Sequence, residues 1–111
     1  MSSQNKKIAV VVGVGPGIGA AVAQKFASQQ YSIALISRSI DKLTPVEKHI
    51  KDNGGHAISI PADAGNTQSL IDAFNKIKSE LGNPTVLIYN AGGYIQGREN
   101  THKLHIAIYI Y

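Results

Sequence analysis

The chain has 111 residues, 43% of them apolar and 16% charged, which is enough apolar character for one packed domain and too little charge for a disordered chain. It contains no cysteine, which excludes disulfides, thiol catalysis and cysteine-ligated metals. The formal net charge of +4 comes from lysines spread along the chain, with no cluster of basic and aromatic residues to suggest a nucleic-acid face, and the apolar runs are too short for a membrane span or a signal peptide. The expectation is a cytoplasmic protein with neither nucleic acid nor membrane among its partners.

After a polar leader, Ile8 to Val12 is apolar without alternation, the pattern of a strand buried on both faces. It feeds Gly13-Val14-Gly15-Pro16-Gly17-Ile18-Gly19, and a helix is predicted over 17–30 with Ile18, Val22 and Phe26 on one face. Glycines permit positive φ and close backbone approach, while a helix start presents unpaired amides and a positive dipole end. A phosphate-binding turn is therefore expected here. Counted from Gly13, the G-x-G-x-x-G fingerprint would need a glycine where Ile18 stands, so the spacing present is Gly13-x-x-x-Gly17-x-Gly19.

Ser32 to Ile36 is a second apolar strand, leaving through Ser37-Arg38-Ser39. Thr44-Pro45-Val46-Glu47 has the form of a capping box with proline at the first helical position, which predicts that the second helix starts there. Leu43, Val46 and Ile50 fall on one side of it, and Asn53-Gly54-Gly55 stops it. His56 to Ile60 is a third strand, ended by Pro61. Asp63-Ala64-Gly65-Asn66-Thr67 then leads into a third helix through about Leu81, with Leu70, Phe74, Ile77 and Leu81 at amphipathic spacing and Gly82 as its cap. Thr85 to Tyr89 is a fourth strand, running into Asn90-Ala91-Gly92-Gly93.

Alternation of strand and helix predicts an α/β fold, a partial doubly wound, Rossmann-like parallel sheet of strand order 3-2-1-4. Right-handed crossovers put the first two helices on one face and the third on the other. The reversal of direction opens a crevice beside the carboxyl end of the first strand, where the glycine turn sits.

Four stretches in order resemble the short-chain dehydrogenase/reductase family. The Gly13-x-x-x-Gly17-x-Gly19 turn, with Gly15 and Ile18 inside it, resembles that family's T-G-x-x-x-G-x-G motif, with Val12 where the family has threonine. Ser37-Arg38 stands where an NAD enzyme presents an acidic residue to the ribose; an arginine there can pair with a 2′-phosphate, so NADP(H) is favoured over NAD(H). Asp63-Ala64 resembles the family's adenine-contacting pair. Tyr89-Asn90-Ala91-Gly92 resembles N-N-A-G, which implies that Asn90 ties the sheet together and that Ala91 and Gly92 pass close to the nicotinamide ribose.

The family's catalysis uses a Ser and a Tyr-x-x-x-Lys pair, and no tyrosine here has lysine four residues on: Tyr31, Tyr89 and Tyr94 are followed by Leu35, Gly93 and Arg98. No catalytic residue is assigned, and no metal site either, His102 and His105 being read as a coincidence of the tail. The resemblance implies a truncated relative. Residues 1–97 are expected to form an NADP(H)-binding half-domain and residues 98–111 an atypical C-terminal tail. Leu104, Ile106, Ile108 and Ile110 alternate with His105, Ala107, Tyr109 and Tyr111, a β pattern. Two readings of the tail stay open: antiparallel pairing with the fourth strand, or an unrelated ending with no selected structure. Without the family's fifth strand and following helices, the fourth strand is expected to show an unpaired edge and part of one sheet face to be bare. The functional alternatives to cofactor binding are an interaction protein that self-associates or joins a full-length relative, and an unstable product.

Overall fold

The computed structural model describes residues 7–13, 17–90, 93–94, 102–103 and 106–110, with side chains described for 7–13, 17 and 19–89. The chain runs β1 (Ile8–Val12), α1 (Ile18–Ser28), β2 (Ser32–Ser37), α2 (Ile40–Asp52), β3 (His56–Pro61), α3 (Thr67–Glu80), β4 (Val86–Asn90), β5 (Gly93–Tyr94), β6 (His102–Lys103) and β7 (Ile106–Ile110). Five strands form one sheet of order β3-β2-β1-β4-β7, parallel through β4. β5 and β6 make a small antiparallel pair of their own.

β1 is central because nothing in it needs water: all five residues are at most 3% exposed. Its alternate residues feed two cores. Ala9 and Val11 join Ile33, Leu35, Leu43, Val46, Ile50 and Ile88 beneath α1 and α2. Val10 and Val12 join Ala34, Ile36, Ile60, Ala73 and Ile77 beneath α3. The helices thus divide between the faces as right-handed crossovers require.

The sheet is sewn together at its start by Thr85. Its amide donates to the Ile8 carbonyl at 2.8 Å, and its hydroxyl lies 3.2 Å from the Ile8 amide as acceptor. Residues 77 apart in sequence are joined there.

Two helix boundaries are corrected. α2 begins at Ile40, a turn before the Thr44-Pro45-Val46-Glu47 pattern, with Ser39 as N-cap and Pro45 inside the helix. Leu43 is fully buried with Val46 and Ile50, and only a helix already formed at Leu43 keeps all three on one face. Thr44 consequently donates its hydroxyl back to the Ile40 carbonyl at 3.0 Å. Glu47, no longer a cap, accepts from the Ser59 hydroxyl of β3 and from Lys51 at 2.6 Å. α1 also ends two residues early, at Ser28, where Gln30 turns the chain at φ 73°.

At β4 the choice between the two readings of the tail is decided. The outer edge of β4 is paired: β7 runs antiparallel to it, with Val86 opposite Ile110, Ile88 opposite Ile108 and Asn90 opposite Ile106. The antiparallel reading of the tail therefore holds. On the α3 side, Tyr89 remains 38% exposed and Ile71 48%.

Candidate functional site

The register of the sheet aligns the carboxyl ends of the four parallel strands. Val12 is opposite Ile36 on one side and Tyr89 on the other, and Ile36 is opposite Ile60. One residue further on, Gly13, Ser37, Pro61 and Asn90 leave the sheet together. Neighbouring strands lie about 4.8 Å apart, so residues from four distant parts of the chain share one rim.

Gly13 takes φ 87° and donates its amide to the Ile36 carbonyl at 2.9 Å. Gly17, the N-cap of α1, sits at φ 113° and ψ −128°, a conformation open to glycine and strained for other residues. The first α1 bond from it runs from the Ala21 amide to the Gly17 carbonyl, 2.9 Å. No side chain caps this helix and no acid lies in its first turn. α3, by contrast, is capped by Asn66, whose side chain accepts from the Ser69 amide at 3.0 Å. Among the described residues no side chain caps the start of α1, and a helix end whose leading amides lack a side-chain cap can receive an anion. Ile18 begins α1 and Gly19 is buried in its first turn. Gly15 lies outside the described residues.

Ser37 closes β2. Its carbonyl accepts from the Ala62 amide at 2.9 Å, which holds the exits of β2 and β3 side by side. Arg38 follows at once, exposed and without an ion pair among the described residues. Asp63 and Ala64 stand just beyond β3. The Asp63 carboxylate accepts from the Gly65 amide at 2.9 Å, and its own amide donates to the Ser69 hydroxyl at 2.9 Å. These bonds hold the Asp63 turn against the first turn of α3. Asn66 falls in the segment that leads into the third helix, but its capping role and Ser69 are additions from the structure; the Asn-x-x-Ser spacing ahead of an amphipathic segment is the signal that marks them. Asn90 ends β4 opposite Ile106, and Ala91 and Gly92 lie outside the described residues.

The structure thus brings Gly13, Gly17, Ser37, Arg38, Asp63, Ala64 and Asn90 to one end of the sheet. A cleft of about 230 Å³ between α1 and α2, lined by Gln24, Ala27, His49 and Asn53, is elsewhere, at the end where β2 and β3 begin. His49 and His56 are exposed. Among the described residues no three potential metal ligands cluster and no helix is long and apolar enough to cross a membrane.

A family model described as short chain dehydrogenase matches residues 7–108. The chain is 36% identical over 86 residues to the 2,3-dihydro-2,3-dihydroxybenzoate dehydrogenase of Bacillus subtilis, covering 78% of this chain and 33% of that protein. Among solved structures it is similar to a metagenomic short-chain oxidoreductase in complex with NADP, at 33% identity and a TM-score of 0.70, covering 73% of this chain and 37% of the other. At the level of fold alone it is similar to a D-mannonate oxidoreductase from Haemophilus influenza with bound NAD, at 22% identity and a TM-score of 0.70, covering 73% and 29%. The chain spans about a third of the length of the curated relatives it matches. A 3-2-1-4 parallel sheet, a glycine turn opening α1 and a family match over nearly the whole chain agree, and the chain belongs to the short-chain dehydrogenase family.

Proposed function

We propose that this chain binds a nicotinamide dinucleotide along the carboxyl ends of β1 to β4, with NADP(H) preferred to NAD(H). The observation that carries the reading is the position of Arg38, directly after β2 and one strand from the glycine turn. A pyrophosphate over the start of α1 would put the adenosine ribose beside β2, where an exposed guanidinium attracts a 2′-phosphate and a carboxylate would repel it. In this reading Gly13, Gly15, Gly17, Ile18 and Gly19 form the phosphate turn, and Ser37 and Arg38 hold the ribose phosphate. Asp63 and Ala64 meet the adenine, and Asn90, Ala91 and Gly92 line the nicotinamide side.

The cofactor would supply or accept a hydride. These 111 residues contain no Tyr-x-x-x-Lys pair to move the accompanying proton, so they contribute binding and orientation and not the acid–base step. Residues 1–97 act as the binding unit and residues 98–111 as a divergent tail. A second polypeptide, either another copy or a full-length relative, is the proposed macromolecular partner, through the tail.

The test is thermal unfolding of the purified chain with saturating NADPH, with NADH, and with neither. At about a hundred times its dissociation constant a ligand adds ~2.7 kcal/mol to the folded state. A midpoint that rises with NADPH more than with NADH is the expected result. A cooperative transition indifferent to both nucleotides overturns the reading.

A further inference from the structure

Beyond the cofactor site, we propose that the outer edge of β7 pairs with the same strand of a second copy, antiparallel about Ile108, so that one sheet runs through both chains. The proposal names the partner and register of the tail and depends on the pairing of β7 with β4, not on nucleotide binding. β7 is the last strand of the sheet, and among the described residues nothing pairs its second side. Edge strands are usually protected by charges, proline, bulges or a covering element. Ile106-Ala107-Ile108-Tyr109-Ile110 has neither a charge nor a proline.

The opposite edge of the sheet is interrupted: β3 ends in Pro61, which has no amide to donate to a further strand. The two edges are therefore unequal, and a contact between β7 and another chain's β3 is disfavoured. That leaves β7 against β7, a contact that closes on itself by a two-fold axis and does not propagate.

The strand is self-complementary about that axis. Antiparallel pairing centred on Ile108 sets Ile106 opposite Ile110, Ala107 opposite Tyr109 and Ile108 opposite its own copy. Positions 106, 108 and 110 lie opposite Asn90, Ile88 and Val86 of β4, which puts them on the sheet face that carries α1 and α2. The isoleucine positions of both copies would share that face, and each position 107 would stand opposite position 109 of the other copy. Any other register leaves isoleucine positions without a counterpart.

The experiment uses the full 111-residue chain without nucleotide. Sedimentation of the unmodified protein across a wide concentration range is expected to show a reversible monomer–dimer equilibrium. Because the chain has no cysteine of its own, single-cysteine variants report register directly. Ile108→Cys is expected to cross-link into a disulfide dimer under mild oxidation, since residues directly opposite in an antiparallel pair have Cα atoms about 4.5–5.5 Å apart, within the span a disulfide bridges. Ala107→Cys alone is expected to remain uncross-linked, and to cross-link when mixed with Tyr109→Cys. A chain that melts cooperatively yet sediments as a monomer throughout, open-ended growth beyond the dimer, or association only with an added full-length relative overturns the proposal. Equal cross-linking of Ala107→Cys and Ile108→Cys also overturns it, as does an unmodified chain without a cooperative melt. Failure of the NADPH test leaves these readouts unaffected.

Discussion

The amide of Gly13 donates to the carbonyl of Ile36 at 2.9 Å, carrying the pairing of β1 and β2 one residue past the end of β1. The glycine turn and the segment that presents Arg38 are therefore anchored to one another by the sheet itself. Arg38 is exposed and outside the core, so replacing it should alter nucleotide selection without altering the fold. Arg38→Ala is expected to weaken NADPH by about 10–100-fold, the loss of a hydrogen bond to a charged group, and to leave NADH within about twofold. Fluorescence titration of the two reduced nucleotides measures this. Equal weakening of both would remove Arg38 from the 2′-phosphate.

Gly17→Ala isolates backbone strain. A Cβ at Gly17 would meet nothing within 4 Å among the described residues, so φ 113° is the source of the expected cost. A loss of about 1–3 kcal/mol is expected, and in a domain of this size each kcal/mol lowers the melting midpoint by about 4–8 °C. Gly65→Ala, where the new Cβ makes only ordinary contact at 3.4 Å, is the control expected to melt close to the unmodified protein.

Glu47 gives the acid limb of the stability curve a particular source. Burial pushes its carboxyl upward, but hydrogen bonds from Lys51 and Ser59, together with the charges of Lys51 and His56, outweigh that and leave it below its ordinary value of 4.5. A carboxyl lowered on folding stabilises fully above its unfolded value, and the contribution is lost as pH falls from about 4.5 through the lowered folded value. Glu47→Gln should therefore be less stable than the unmodified chain at neutral pH, and the gap should narrow as the solution is acidified. Urea midpoints taken from pH 7 to pH 3 test it; a gap that widens in acid would contradict the assignment.

Pro45 lies inside α2, where it has no amide to offer the Asp41 carbonyl four residues back. Pro45→Ala should stabilise the fold by about 1–2 kcal/mol, part of the gain being offset by the freer unfolded chain. A raised urea midpoint with unchanged denaturant dependence is the expected result.

The same helix shows where sequence reading met its limit. Thr44-Pro45-Val46-Glu47 carries a local capping signal, but Leu43 lies on the apolar stripe with Val46 and Ile50, and burial of that stripe overrode the local pattern. β1 to β4 were legible because strands of a parallel sheet buried on both faces read as unbroken apolar runs. Their order came from likeness to the mononucleotide-binding half of a doubly wound fold, and crossover handedness then assigned the helices to the two faces. Alternation marked 104–111 as a β pattern, yet alternation does not name a partner; only the register of 106–110 with Val86 to Asn90 shows which edge the strand covers. At the rim, the glycines were legible from spacing, whereas the bond from the Asp63 amide to Ser69 depends on how β3 and α3 meet, which no local pattern records.

The clamp between Thr85 and Ile8 bears on how the protein is made. β1 gains one neighbour from β2 early in synthesis, but its second neighbour, β4, is encoded 77 residues after Ile8, counted to Thr85. Until that stretch has emerged, the most apolar strand of the molecule is an edge strand with no charge to keep other chains away. Folding must therefore wait for contact between β1 and β4, neighbours in the sheet that lie far apart along the chain, a slow search through a long loop. Chains arrested before Val86 are expected to collect in aggregates, and the yield of soluble protein will be decided by how fast β4 reaches its place beside β1.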